Sequence, residues 1–266
     1  MGAAFNAGAI LVLLGATASA LAAQRLHSLR SFLEYGKLRR AKRKPQTLLE
    51  KLGEVTVNHG MFCHFYIWLD ILVILKLLIY QSPTIRDVFL LIQGTRRAYE
   101  QIWLFHTSPT STMHLSHYLI GLVFYTIQAL CDVTECRDSI YFATTIFAVA
   151  STFQALCHRT LANTKKYLFP KFPFTSWSSN LYTACPHYGA EILIYSGLLL
   201  LSDCRSIFNH DHGLSSGFLT CLVSVVWVTT CLAISGNETR LYYEKQAALG
   251  NHRHSQSLWA IFPFIY

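Results

Sequence analysis

Charged side chains are scarce in this 266-residue sequence: they make up 14% of it, whereas apolar residues make up 52%. A soluble globular domain carries about 25% charged residues, so this chain has too few of them to cover a surface that faces water. Intrinsic disorder requires low hydrophobicity and high charge and is therefore also excluded. The composition, with a mean hydropathy of +0.32, predicts a protein that crosses a membrane several times.

Motifs of several other protein classes are absent. The sequence has no GxGxxG dinucleotide fingerprint, no GxxxxGK[ST] phosphate loop and no CxxC pair. Most of the 8 cysteines lie in or beside apolar stretches, where we expect small buried side chains and no structural disulfide. His210-Asp211-His212 and His252-Arg253-His254 have no further ligands beside them, so no metal site is expected.

Long apolar runs are what the sequence has instead. A membrane-spanning helix needs about 20 mostly apolar residues. Seven candidate spans meet or approach this length: Met1–Gln24, Phe62–Tyr80, Val88–Phe105, Leu115–Cys131, Ile140–Cys157, Tyr188–Leu201 and Gly217–Ser235. In the first run the first basic residue, Arg25, follows the apolar stretch, whereas in a signal peptide the charge comes first. We therefore predict an all-α bundle of about seven transmembrane helices in one domain, residues 1–266.

The basic residues are distributed unevenly among the predicted loops. With seven spans and a lumenal N-terminus, 16 Lys and Arg residues fall on the cytosolic side and three on the lumenal side. This asymmetry is the one that the positive-inside rule requires, and it places the C-terminus in the cytosol. The basic loop at residues 25–60 is interpreted as a topology determinant that touches anionic lipid. Because the net charge of +8 is confined to a few loops, no nucleic-acid partner is indicated.

Ionisable residues at membrane depth are costly and usually mark a functional site. Three groups of them fall on the predicted cytosolic side: Arg96-Arg97 with Tyr99 and Glu100, His158 with Asn163 and Lys165-Lys166, and the segment Cys185–Glu191. His187 and Glu191 are four residues apart and project from one helix face. The groups predict a pocket for an anionic ligand, and internal ion pairs such as Arg97 with Glu191 are the alternative. Asp70 is either part of a helix–helix hydrogen bond or a wall of the pocket.

The segment Cys185-Pro186-His187-Tyr188-Gly189-Ala190-Glu191-Ile192 resembles the [SC]-P-[HN]-Y-x-[AG]-E-[IL] signature of the steroid 5α-reductase family, in particular its polyprenol (polyprenal) reductase branch. Three further stretches resemble the same branch. Cys157-His158 with Leu161, Asn163 and Lys165-Lys166 is similar to CHxxLxNLRK, Arg96–Glu100 to RRxxE, and Ile261–Tyr266 to the closing IPFIF. Residues 150–266 carry the most specific part of the resemblance.

The resemblance implies a seven-helix reductase of the endoplasmic reticulum membrane that takes its hydride from NADPH. It implies that His187, Glu191 and Tyr243 (or Tyr242) contact the nicotinamide half of the cofactor. It further implies contacts with the phosphates and adenosine from Arg97, Gln154, His158 and Lys165. The Glu and Tyr with which the steroid-acting branch polarises a ketone fall here near Phe65 and Gly94, so no steroid substrate is expected. The basic stretch before the closing sequence is also altered, at His254–Ala260.

Hydride adds readily only to an electron-poor double bond, in which the resulting charge can spread onto oxygen. Polyprenal, an α,β-unsaturated aldehyde, is therefore a better direct substrate than polyprenol, and its product is dolichal. The resemblance implies that this step lies on the route to dolichol for protein N-glycosylation. Candidates for the group that polarises the carbonyl are Tyr66, His64 and Tyr99. Two alternatives are a prenyl-cysteine or lipid methyltransferase of related build and a seven-span receptor or lipid-binding protein. An enzyme would use the apolar closing sequence by folding it back under the pocket.

Overall fold

The computed structural model describes residues 2–26, 54–105, 111–164, 172, 183–202, 215–248 and 259–262. Within these ranges the chain forms seven α-helices, each of which coincides with one predicted apolar run. They are α1 (Gly2–Arg25), α2 (Cys63–Tyr80), α3 (Ile85–Tyr99), α4 (Leu115–Leu130), α5 (Ile140–Asn163), α6 (Pro186–Leu200) and α7 (Ser216–Ala248). The last helix continues well beyond Ser235, where its apolar run was expected to end.

Four stretches of the described residues are long and apolar enough to cross a membrane: Gly2–Arg25, His59–Tyr80, Arg137–Asn163 and Ser216–Gln246. Helix α4 is apolar but shorter. Many large apolar side chains point outward, as expected for a surface that faces lipid, and Tyr141 on α5 is 87% exposed. The prediction of a multi-pass helical membrane protein agrees with these features. Seven spans and a lumenal N-terminus stay predictions.

Contacts between helix ends show that successive helices run in opposite directions. Near the start of α1, the Asn6 side-chain amide donates to the backbone carbonyl of Asp132, just after α4, at 2.9 Å. The backbone N–H of Cys136, before α5, donates to the carbonyl of Leu201, after α6, at 2.8 Å. These groups lie at one end of the bundle. The opposite end, called the site end below, holds the starts of α2, α4 and α6 and the ends of α3, α5 and α7.

The helices divide into two groups. Helices α2, α3 and α4 pack mainly on one another, and so do α1, α5, α6 and α7. Between the groups, the buried rings of Phe89 on α3 and Phe147 on α5 stack with centroids 4.3 Å apart and an interplanar angle of 13°. Because relatively few backbone segments approach across this junction, long side chains fill it.

Helices α2 and α3 approach closely at Gly94. A Cβ atom added at Gly94 would lie 2.0 Å from Oδ1 of Asp70, so a larger residue would have to displace the Asp70 side chain. The Thr95 hydroxyl next to it donates to Oδ2 of Asp70 at 3.0 Å. Of the two interpretations of Asp70, the structure supports the helix–helix hydrogen bond.

A two-stranded antiparallel sheet at the site end is an addition to the predicted helices. Strand β1 (Thr56–Asn58) pairs with β2 (Thr112–His114), with Val57 opposite Met113. Each strand leads into a helix, β1 into α2 through a short 3₁₀ turn and β2 directly into α4. The sheet therefore ties the starts of α2 and α4 together.

Candidate active site

A hydrogen-bonded polar cluster lies between the helix groups at the site end. Its members, called the polar cluster below, are Arg96, Arg97, Glu100, Gln154, His158 and Glu191. Three of them are almost inaccessible to solvent: Gln154 is 1% exposed, His158 3% and Glu100 4%. Buried polar groups of this kind must find partners inside the protein, because an unpaired one is costly.

Glu100 is the central acceptor of the cluster. It lies at the start of a π-helical turn, Glu100–Leu104, that continues α3. Its carboxylate accepts from Arg96 Nη1 at 2.5 Å and from Arg97 Nη1 at 2.7 Å, and His158 Nδ1 lies 2.6 Å away. Single π turns occur frequently at functional sites. In this protein the π turn begins at Glu100, whose carboxylate joins α3 to His158 on α5.

Gln154 connects the three helices α3, α5 and α6. Its amide nitrogen donates to the Glu191 carboxylate, and its oxygen accepts from Arg96 Nη2. Gln93, which the sequence motifs do not single out, accepts from the same guanidinium at 2.7 Å. Glu191 is therefore joined to Arg96 through an amide, while Arg97 pairs with Glu100. Internal ion pairs, which were the alternative considered from the sequence, are therefore present. Arg97, however, pairs with Glu100 and not with Glu191.

The charges within the cluster balance. The cluster contains two guanidinium groups and two carboxylates, those of Glu100 and Glu191, so a net positive pocket depends on further cations. The predicted ones, Lys165 and Lys166, lie outside the described residues. The Nε–H groups of Arg96 and Arg97 are buried and have no hydrogen-bond partner among the described residues. These two buried donors are the candidates in the cluster for contact with a ligand.

His187 and Glu191 share one face of α6, as predicted from their spacing. The His187 ring lies in the first turn, with its centroid 5.4 Å from that of His158 and 4.4 Å from that of Tyr188. Tyr243 is buried against Ala184 and Cys185, just before α6 begins. It lies outside the polar cluster, and its contact with a nicotinamide stays a prediction.

The three candidates for the carbonyl-polarising group lie in very different places. Tyr66 is buried, and its hydroxyl accepts from Arg97 Nη2 at 3.0 Å. His64 is exposed and contacts the Tyr118 hydroxyl at 3.1 Å through Nδ1. Tyr99 is 63% exposed. The structure therefore brings Tyr66 into the cluster and leaves the other two on the surface.

Two buried tyrosines beside Tyr66 are not identified by any sequence motif. Tyr125 on α4 packs edge-to-face on Tyr66, with ring centroids 5.4 Å apart. Tyr195 on α6 packs against Phe124, which also contacts Tyr125. Tyr195 follows Glu191 by one helical turn, a spacing that indicates a shared face. Tyr125 has no such signal in its apolar surroundings.

The described part of the C-terminal tail closes over the start of α6. The backbone N–H groups of Ala184 and Cys185 donate to the carbonyls of Trp259 and Ala260 at 2.8 and 2.9 Å. Gly189 allows the approach, because a Cβ there would lie 2.9 Å from the Phe262 ring. The tail thus packs against the helix that carries His187 and Glu191.

Acids, bases and phenols buried at one end of a multi-pass helical bundle are the arrangement of a membrane-embedded enzyme. Comparison with curated proteins agrees with the sequence resemblance. The chain is 34% identical over 245 residues to a polyprenal reductase of Saccharomyces cerevisiae, an alignment that covers 88% of this chain and 85% of the yeast protein. It is 26% identical over 227 residues to polyprenal reductase 1 of Oryza sativa subsp. indica, covering 68% of this chain and 59% of that protein.

No protein-family model matches the chain. The identity and coverage of the yeast relative are nevertheless sufficient to assign it. The chain belongs to the polyprenal reductase branch of the steroid 5α-reductase family.

Proposed function

We propose that this protein reduces the α-isoprene double bond of polyprenal to give dolichal, with NADPH as the hydride source, in the endoplasmic reticulum membrane. The observation that carries the proposal is the convergence of Arg97, Gln154, His158 and Glu191, on three different helices, in one cluster with His187 beside it. These are the positions that the family resemblance assigns to the cofactor. The names of the relatives supply the substrate class.

The residues present fit such a cofactor. NADPH supplies a hydride and carries phosphates, which arginine binds well because its guanidinium offers several donors in a fixed geometry. The unpartnered Nε–H groups of Arg96 and Arg97 are donors of this kind, already held by Glu100. His187 and Glu191 lie one helical turn apart on α6, where they can contact a carboxamide or ribose. Lys165 is a further proposed phosphate ligand.

Tyr66 is the group best placed to stabilise negative charge on the substrate. When hydride adds to the β-carbon of an enal, the electrons of the double bond move onto the carbonyl oxygen. The Tyr66 hydroxyl accepts a hydrogen bond from Arg97, which leaves its own proton to be donated to an acceptor such as that oxygen. The adjacent guanidinium makes the hydroxyl a stronger donor, since hydrogen bonds in a chain polarise one another. The reduced product then takes up one proton at its α-carbon.

The proposal is tested with purified protein, polyprenal and NADPH carrying deuterium at C4. The expected product is dolichal with one deuterium at the β-carbon. A Tyr141→Phe variant, altered on the lipid-facing surface, is the matched control and should retain wild-type activity. Methyl transfer from S-adenosylmethionine to a prenylated acceptor, without deuterium transfer to polyprenal, would instead support the methyltransferase alternative and contradict this proposal.

A further inference from the structure

Three buried tyrosines, Tyr66, Tyr125 and Tyr195, adjoin the polar cluster at the junction of the two helix groups. Arg97 donates to the Tyr66 hydroxyl, the Tyr66 ring packs on the ring of Tyr125, and the Tyr125 hydroxyl is hydrogen-bonded to the hydroxyls of Tyr66 and Tyr195. Tyr195 follows Glu191 by one turn of α6, and Gln154 joins Glu191 to Arg96. The function proposed above leaves Tyr125 and Tyr195 without a role.

The two tyrosines lie deeper in the bundle than the charged groups. On α6, Tyr195 follows Glu191 by four residues, which places it about 6 Å further from the site end. On α3 and α5, the Phe89–Phe147 stack lies about two turns below Arg97 and Gln154. The phenols therefore lie between the charged groups and an aromatic layer, where Tyr125 is 8% exposed and Tyr195 4%.

We infer that Tyr125 is a second hydrogen-bond donor to the carbonyl oxygen of the substrate, beside Tyr66, and that Tyr195 positions the Tyr125 hydroxyl. The inference rests on the proposed function. In this structure the two phenols are hydrogen-bonded to each other, and a carbonyl oxygen placed between them would exchange that bond for one from each. A carbonyl oxygen has two lone pairs and can accept from two phenols at once, one from α2 and one from α4. Donors that are fixed before the reaction stabilise developing oxyanion charge without having to reorganise.

This arrangement also bears on substrate choice. An aldehyde oxygen only accepts hydrogen bonds, so it complements two convergent hydroxyl donors. An alcohol also has an O–H group that must donate to an acceptor. The Tyr66 hydroxyl is a poor acceptor for it, because it already accepts a hydrogen bond from Arg97. We therefore expect polyprenal to be reduced and polyprenol to bind as a weak inhibitor.

The test uses Tyr125→Phe and Tyr195→Phe, each of which keeps the ring and removes the hydroxyl. We expect kcat to fall about 100-fold for Tyr125→Phe, the usual effect of losing one oxyanion donor. A smaller fall, about 10-fold, is expected for Tyr195→Phe, whose hydroxyl acts through Tyr125. The dissociation constant for NADPH should change less than twofold in both. Tyr118→Phe is the matched control on α4, because its hydroxyl contacts the exposed His64.

A structural role for Tyr125 is separated from a donor role by placing 3-fluorotyrosine at position 125. This residue keeps the shape and restores a more acidic hydroxyl, so it should recover most of kcat and shift the pH dependence of kcat. An unchanged pH profile, or a kcat of Tyr125→Phe within threefold of wild type, would overturn the inference. So would an equal loss of NADPH binding and activity. If wild-type protein transfers no deuterium to polyprenal, the proposed function itself fails, which is a distinct result.

Discussion

Glu100 offers the sharpest test of how the polar cluster is held together. Its buried carboxylate joins two guanidinium groups and His158, at 2.5, 2.7 and 2.6 Å. The change Glu100→Gln removes the charge and leaves both guanidinium groups without their carboxylate. Breaking a buried ion pair from one side typically costs about 3–5 kcal/mol. The remaining contacts of Arg96 to Gln154 and of Arg97 to Tyr66 keep the expected loss within that range.

The assay is thermal unfolding of purified protein in detergent. At roughly 2–4 °C per kcal/mol for a chain of this size, Glu100→Gln should lower Tm by at least about 6 °C. The matched control is Glu244→Gln on α7, which breaks a partly exposed pair with Arg240 at 3.0 Å and should cost less than about 1 kcal/mol. Equal Tm values for the two variants would refute the view that Glu100 organises the site.

Three further substitutions test other contacts. Phe147→Ala should lower the free energy of unfolding by about 3–5 kcal/mol in a denaturant titration, because it removes the stack with Phe89 between the helix groups. Gly94→Ala should cost about 1–3 kcal/mol in the same titration, since the new methyl group must displace Asp70; an unchanged midpoint would contradict the close approach of α2 and α3. Tyr66→Phe should lower kcat about 100-fold in a polyprenal reduction assay, and a kcat within threefold of wild type would remove it as the donor.

The parts of the fold that were predicted from the sequence depend on local patterns. Each predicted apolar run coincides with a helix, and four of the helical stretches have the length and hydropathy of a span. His187 and Glu191 were placed on one face because four residues make about one helical turn. The family resemblance predicted that one ligand contacts Arg97, Gln154 and His158. No local pattern in α3 could have predicted this, because none relates α3 to α5.

The remaining features depend on how each helix is rotated in the bundle. On a helix of a soluble protein, the polar stripe marks the exposed face and the apolar stripe marks the buried face. On α4 the lipid-facing side is as apolar as the interior, so Tyr125 could not be distinguished from its neighbours. Tyr99 and His64 belong to promising motifs, yet the rotations of α3 and α2 turn both outward. No sequence motif marks the π turn at Glu100, whose carboxylate contacts groups on both α3 and α5.

We propose that the polar cluster binds the dinucleotide. An equilibrium titration of purified protein with NADPH, comparing wild type with Arg97→Lys, measures this binding. A lysine keeps the positive charge but loses the planar fork that reaches Tyr66 and Glu100 and the free Nε–H. We expect saturable binding by wild type and binding at least about ten-fold weaker in the variant. Equal dissociation constants for the two proteins would show that the cluster does not bind NADPH through Arg97.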